Sequence, residues 1–178
     1  MPSLTGEKVF LRPLELSDAA LCARWMADQE ITQFLGKGRM PLPVHKEEEW
    51  IRMVSKDDHN AVFAICEKSN NTHIGNCGLH AMEFIDRICT AGILIGDKQK
   101  WGKGLGTEAM RLMCNHAFHE FNMRRVELSV FDFNERGIKS YLKLGFKEEG
   151  RMKERRYKSG RYADEILMVV RAQDWPSP

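Results

Sequence analysis

No two cysteines in this chain stand in a C-x-x-C pair; Cys22, Cys66, Cys77, Cys89 and Cys114 are odd in number and scattered. That pattern argues against a disulfide framework or a zinc site. It reads as buried or half-buried thiols in a reducing compartment, so the cytoplasm is the expected address. Also lacking is any apolar run near the ~20 residues that cross a bilayer, and the first residues show no charged-then-apolar leader, so no membrane partner is expected. Charge of one sign is scarce. Lys and Arg number 27 against 25 Asp and Glu, a net of +2 with no basic face, which is too little to argue for nucleic acid. Internal repeats, linkers and the G-x-x-x-x-G-K-[ST] loop of nucleotide hydrolases are absent as well. What is present is a globular balance of 43% apolar and 29% charged residues over 178 positions, enough for one self-sufficient core. The expectation is a single domain over residues 1–178.

The stretch that organises the chain runs from Gln99 to Ala109, with Gly102, Gly104 and Gly106 alternating between Lys100, Trp101, Lys103, Leu105 and Thr107. It follows the apolar run at residues 91–95 and opens an amphipathic segment, so it reads strand, tight turn, helix. Alternate glycines permit positive φ and remove the Cβ atoms that would hold a ligand away. The amides of the loop and of the first helical turn then converge at the positive end of the helix dipole. Such a point suits a phosphate or a pyrophosphate, with Lys100 and Lys103 adding diffuse positive charge.

Around it the chain alternates. Residues 7–13 predict a first strand, 17–27 a helix capped by Ser17 and Asp18, 28–35 a short helix, and 36–43 an exposed, mobile loop broken by Gly and Pro. A helix follows over 44–56, and then strands over 60–67, 73–84 and 87–96, the last pair joined by a tight turn near Ile85 and Asp86. The run at 91–96 is apolar without alternation, as in a central strand covered on both faces. A helix over 104–119 buries Leu105, Ala109, Leu112, Met113 and Ala117 at spacings of three and four. Next come a strand over 125–131, a helix over 134–144, and two strands turning at residues 158–160. His116, His119 and Glu120 make only a superficial metal triad, since such spacing is common on a solvated helix end; no metal is expected.

The helix at 134–144 is well bounded. Asn134 is a strong N-cap, Gly145 fits the C′ position, and Phe146 supplies the apolar contact after it. Together the two stretches closely resemble the GNAT superfamily of acetyl-CoA-dependent N-acetyltransferases, through the glycine loop and the later N-x6-Y-x-K-x-G-F from Asn134 to Phe146. Within it the chain looks most like the Rim-type branch of ribosomal-protein N-terminal and polyamine acetyltransferases. That likeness is carried by residues 10–18, Ile74-Gly75 with Gly78-Leu79, residues 101–109, residues 149–151, and Gly160-Arg161-Tyr162 with Asp164. It covers nearly the whole chain. The resemblance implies an α/β (α+β) fold with a mixed central β-sheet of about seven strands, splayed at its centre, flanked by about four helices.

The resemblance further implies that acetyl-CoA is the cosubstrate. Its pantetheine arm would lie against Ile93, Leu94 and Ile95, and its pyrophosphate on Trp101, Gly102, Lys103, Gly104, Leu105, Gly106 and Thr107, with Asn134 combining cap and cofactor contact. The partner would be a primary amine of a small molecule or a protein N-terminus; the late strands leave a homodimer open. An amine of pKa near 10 is mostly protonated at pH 7 and needs a base or a water chain. A backbone N–H near Leu94 and Ile95 is the expected oxyanion donor, and Tyr141 stands at the family position for protonating the thiolate. Glu83 is the expected carboxylate for the amine, with Asp86 beside it and His80 as a proton relay; both acids read equally as turn charges. Two departures stand out. Trp101 replaces the Gln or Arg that usually opens the loop, and Thr90 stands where related sequences often carry a basic Glu. The second departure leaves room for a non-catalytic CoA-binding sensor. A dinucleotide oxidoreductase is set aside because Thr107 takes the place of the third glycine of that fingerprint.

Overall fold

Apolar, β-branched and small residues at Ile88–Ile95 build strand β4, which is fourth of seven in one mixed sheet. The computed structural model describes residues 4–36 and 40–176. Its strands are β1 (Val9–Pro13), β2 (Ala61–Glu67), β3 (Thr72–Glu83), β4, β5 (Arg125–Phe131), β6 (Lys147–Lys158) and β7 (Arg161–Arg171). They lie in the order β1-β2-β3-β4-β5-β7-β6. Every neighbouring pair is antiparallel except β4 and β5, which run parallel. Between β4 and β5 the chain must therefore cross over, and it does so through α4 (Leu105–His119).

The helices cover both faces. Met110, Met113, Cys114 and Ala117 of α4 are buried against Ile65, Ile74, Leu79 and Val126, and Ile138, Tyr141 and Leu144 of the α5 segment (Glu135–Lys143 and its cap) pack on the same cluster. On the opposite face α1 (Ala19–Ala27), α2 (Gln29–Thr32) and α3 (Val44–Val54) enclose Leu14, Cys22, Trp25, Ile31 and Ile51, with Leu94 and Trp101 at the margin. Among the described residues the α-helices number five, the short one expected over 28–35 being the single turn α2. Residues 37–39 of the loop expected at 36–43 lie outside the described residues; Gly36 and residues 40–43 are exposed.

β6 is the outer edge strand. It is almost wholly polar, mostly exposed until Lys158, which is buried, and interrupted by register shifts at Glu148/Gly150 and Met152/Arg156, which blunts an edge that would otherwise template further pairing. It turns into β7 through Ser159 and Gly160, both at positive φ (48° and 83°), the conformation that matches strand twist in a two-residue hairpin.

One expectation is corrected at the centre. β4 is central, but Gly92, Ile93, Leu94 and Ile95 are only half-buried, and Ser129 on β5 is exposed. The reason is that β4 and β5 pair only at Ile88↔Arg125, Cys89↔Val126 and Thr90↔Glu127. Beyond Thr90 they part, and the sheet opens.

Candidate functional site

The opening is a cleft of about 470 Å³ between residues 91–95 of β4 and Leu128, Ser129 and Val130 of β5. Each wall is zipped on its outer side only. Ile95 faces Gly75 and Ile93 faces Cys77 across β3, while Ser129 faces Leu167 across β7. Backbone parity tells which groups point inward. Gly96 N–H donates to the Ile74 carbonyl at 2.9 Å, and in an antiparallel pair such bonded positions recur at every second residue. Leu94 and Gly92 therefore turn their amides and carbonyls to β3, whereas Ile93 and Ile95 turn theirs into the gap. By the same count from Asp132 N–H, which donates to Asp164 O at 3.2 Å, Ser129 faces the gap from the other wall. The N–H expected near Leu94 and Ile95 is thus that of Ile93 or Ile95.

At the C-terminal end of β4, Asp97 caps a 3-10 turn at Lys98–Lys100 and the glycine loop begins. Gly102 and Gly104 take φ of +74° and +79°, and a Cβ on either would meet nothing within 4 Å. The first bond of the α4 ladder is Glu108 N–H to Gly104 O at 3.0 Å, so the amides from Gly102 to Thr107 reach no backbone carbonyl and converge at the helix start. Trp101 turns inward. Its indole N–H donates to the Ile95 carbonyl at 2.8 Å, taking one of the groups that face the gap. Lys100 lines the cleft and is paired with Glu67 at 2.6 Å; Lys103 does not line it, so the second expected cation stays outside.

The far wall is α5. Asn134 Oδ1 accepts from Gly137 N–H at 3.0 Å, the expected N-cap. At the other end Phe146 N–H donates to Tyr141 O at 3.1 Å and Gly145 N–H to Leu142 O at 3.0 Å, with Gly145 at φ +92°. This double bond pattern ends a helix in a left-handed C′ residue and brings the residues flanking it together. The Tyr141 and Phe146 rings accordingly lie 6.0 Å apart, which fixes Tyr141 on the cleft floor. Burial pushes its phenol up to about 12, so it stays protonated, a donor, through the neutral range. Thr107 and Ser140 join the two helices by a hydroxyl pair at 2.7 Å.

Several residues of this site carry no spacing signal in the sequence. The Arg136 guanidinium stacks over Trp101 at 3.9 Å and over Phe34 at 5.5 Å, and Phe34 lines the cleft from the segment after α2. Phe34 continues to Phe133 at 6.1 Å, and Phe133 stacks on Phe131 at 5.4 Å. His80 lies over the facing pair Gly78 and Gly92: a Cβ on Gly92 would stand 3.6 Å from its Nε2. Its Nδ1 meets Asn60 Oδ1 at 2.9 Å, which orients the ring. The paired glycines at 78 and 92 were the legible trace of that ring.

Of the residues singled out in the sequence, Ile93, Leu94, Ile95, Trp101, Gly102, Gly104, Leu105, Gly106, Thr107, Asn134 and Tyr141 all line the one cleft. Glu83 does not. It is exposed opposite Ile88 at the hairpin end, and its carboxylate accepts from Ile85 N–H at 3.2 Å. At a rise of about 3.3 Å per residue, Ile88 is roughly 13 Å from Gly92, so this carboxylate serves the turn and not an amine in the cleft. Asp86 sits in the same exposed turn. Among the described residues no group of three His, Cys, Asp or Glu could hold a metal, and no helix is long and apolar enough to cross a membrane.

A chain-like ligand with an anionic head fits what is present. Open space at Gly102 and Gly104 receives the head where free amides converge, and the inward-facing groups of Ile93 and Ile95 offer strand-like pairing to an amide-bearing arm. Residues 8–147 match the model of the acetyltransferase (GNAT) domain. The chain is 28% identical over 178 residues to the uncharacterized N-acetyltransferase p20 of Bacillus licheniformis, covering 98% of this chain and 99% of that one. It is 23% identical to the uncharacterized N-acetyltransferase YoaA of Bacillus subtilis, over 97% and 99% of the two chains. In fold it superposes on the spermidine N-acetyltransferase of Vibrio cholerae, solved with CoA and spermine, at a TM-score of 0.87 and 22% identity over 95% of this chain and 98% of that one.

Proposed function

The chain belongs to the acetyltransferase (GNAT) domain family, and from that premise we propose that it moves the acetyl group of acetyl-CoA directly to a primary amine, of a small molecule or of a protein N-terminus. The observation that carries this reading is the continuity of the cleft: free amides of residues 102–107 at one end, inward-facing backbone of Ile93 and Ile95 in the middle, and Tyr141 at its floor. The finer assignment to the Rim-type branch rests on the motifs at 10–18, 74–79, 101–109, 149–151 and 160–164.

When bound, acetyl-CoA supplies an acyl group already activated as a thioester. The residues of this chain do the rest. The amides from Gly102 to Thr107 hold the diphosphate, with Lys139 and Lys143 at the open end of the cleft. Ile93 pairs with the pantetheine arm through its N–H and carbonyl, and the Ile95 N–H donates to a carbonyl oxygen as it gains negative charge. The Trp101 indole keeps the Ile95 carbonyl occupied, so that the strand end is fixed and no acceptor lone pair faces that oxygen. His80 is the imidazole proposed to take the proton from the incoming ammonium: its Nδ1 meets Asn60 Oδ1 at 2.9 Å and its ring lies over Gly92 at the apex of the gap. This replaces the carboxylate that Thr90 and Glu83 do not supply. Tyr141 gives its phenolic proton to the departing thiolate.

The test is CoA release from acetyl-CoA, followed with a thiol reagent over a panel of primary amines. Amine-dependent release supports the proposal. Tight CoA binding with no release by any amine would instead favour the sensor without turnover, a reading that the names of the relatives do not favour.

A further inference from the structure

We infer that the acceptor amine carries a negatively charged group, a carboxylate or a phosphate, and that Arg136 and Arg161 recognise it. This rests on the reading of the cleft as an acetyl-transfer site. Among the described residues, the cleft lining contains no Asp or Glu; of its cations, Lys139 and Lys143 stand at the diphosphate end and Lys100 is paired with Glu67, which leaves Arg136 for the acceptor. Most carboxylates on the surrounding elements are already bound; Glu47 on α3 is buried, and burial pushes its carboxyl up toward the neutral form. Glu165 is held by Arg156 at 2.9 Å, Asp164 by Arg151 at 3.3 Å and by the Glu154 amide at 3.0 Å, and Glu67 by Lys100 at 2.6 Å. Lys98 spans Asp28 and Glu30 at 2.8 Å each. Asp132 is exposed and does not line the cleft.

The positive side is built. On the face opposite α4, Arg136, Phe34, Phe133 and Arg161 form one ladder: Arg136 lies over Phe34 at 5.5 Å, Phe34 meets Phe133 at 6.1 Å, and Arg161 lies over Phe133 at 4.7 Å. Neither guanidinium forms an ion pair with a described residue. Stacked on a ring, a guanidinium is held in orientation while its in-plane N–H groups stay available, the arrangement that suits a planar or tetrahedral oxyanion. Partial burial lowers the Arg136 pKa, and the charge of Glu30 opposes that shift.

With an anion seated on the guanidiniums, the amine end meets no carboxylate in the lining that would hold it protonated. A polycation meets the opposite situation, with several charges to desolvate and no lining carboxylate to receive them.

Paired amines that differ in charge test this: phosphoethanolamine against ethanolamine, glycine against glycinamide, and spermidine as the polycation, each read as kcat/KM for CoA release. At least one anionic member should exceed its neutral partner about tenfold, the worth of one charge-assisted contact. Which pair responds separates phosphate from carboxylate. R161Q should shrink that ratio severalfold at unchanged calorimetric CoA affinity; R136Q should shrink it as well, measured at saturating acetyl-CoA because Arg136 also stacks on Trp101 of the glycine loop. The inference is overturned if neutral members match or exceed anionic ones, if spermidine is the best acceptor, or if the ratio survives both substitutions. Release with neutral or cationic amines alone would leave acetyl transfer standing and remove only the anionic acceptor; no release with any amine removes both.

Discussion

Trp101 donates its indole N–H to the carbonyl of Ile95 at 2.8 Å, and so ties the first residue of the glycine loop to the last residue of the central strand. Ile95 C=O is one of the groups that the parting of β4 from β5 leaves without a strand partner. A residue that departs from the usual Gln or Arg at the loop's start thereby does a local job: it fixes the distance between the amide cradle and the inward-facing backbone of Ile93. The two halves of the proposed cofactor site are thus joined by one side chain.

Trp101→Phe keeps an aromatic surface for Arg136 and removes only the donor. An unsatisfied half-buried carbonyl costs about 1–3 kcal/mol, part of which water recovers at the cleft edge. CoA affinity by calorimetry should fall about fivefold to tenfold with little change in kcat at saturation. A kcat loss without an affinity loss would show that the bond does not set the cradle.

Gly104→Ala separates backbone strain from blocking. No atom lies within 4 Å of the added Cβ, so its cost to the fold is the positive φ of 79°, about 1–2 kcal/mol. For a chain of this size that is a drop in Tm of about 2–8 °C. The same Cβ projects where the diphosphate is proposed to sit, so CoA binding should weaken at least tenfold. A lowered Tm with wild-type CoA affinity would remove the cradle.

What was legible in the sequence follows from the range of the interactions. The glycine loop, the Asn134 cap and the Gly145–Phe146 ending are set by neighbours within a few residues, and they occur where the local pattern puts them. The splay was implied by family likeness alone, since it depends on where β4 and β5 stop pairing across more than thirty intervening residues, as Thr90↔Glu127 shows. Apolar composition at 91–96 was read as two-sided burial, whereas half-burial around an open cleft has the same composition. Glu83 was chosen for closeness in sequence to the splayed strands, but strand length carries it away from their parting. Phe34, Arg136 and Phe133 meet only in three dimensions and leave no periodic trace.

Tyr141→Phe removes the proposed proton donor while keeping the ring against Phe146. Because burial holds the phenol up to about 12, the wild-type donor is protonated across the assay range and the loss should be constant from pH 6 to 9. A positioned acid contributes about 10²–10⁴ in rate, and water in the cleft can stand in for part of it. A fall in kcat of at least tenfold, with circular dichroism and CoA affinity unchanged, is the expected result; full kcat would reassign the proton.

Asp18 couples the fold to acid. Burial alone would raise its carboxyl, but bonds from Arg12 (2.8 Å to each oxygen) and from the Glu15 amide (2.9 Å), with His73 Nδ1 at 3.2 Å, outweigh it and hold the pKa down to about 2. The unfolded carboxyl titrates near 3.9, so the folded state gains stability that is complete above pH ~4 and disappears as the pH falls through 2, in all about 2 kcal/mol. Asp18→Asn should lower urea stability by about that amount at pH 7, with the gap to wild type closing toward pH 2. A gap that persists unchanged at pH 2 would mean the charge is not its source.

The proton acceptor decides which pH governs turnover. His80 meets Asn60 through Nδ1 and lies over Gly92, and Thr90, opposite it in the β3–β4 register, cannot take a proton. If Nε2 is the base, wild-type kcat/KM must fall on the acid side as the imidazole protonates, because the charged ring has no lone pair to offer. His80→Gln retains a side chain that bonds to Asn60 but does not titrate. Its kcat/KM should drop at least tenfold and the acid limb belonging to the imidazole should vanish, leaving only the rise set by the amine's own ionisation. Asn60→Ala provides the second reading: the ring loses its orientation but keeps its proton chemistry, so the rate should fall while the limb persists. An acid limb that survives in His80→Gln at the wild-type position would assign proton removal to water or to the amine acting unaided.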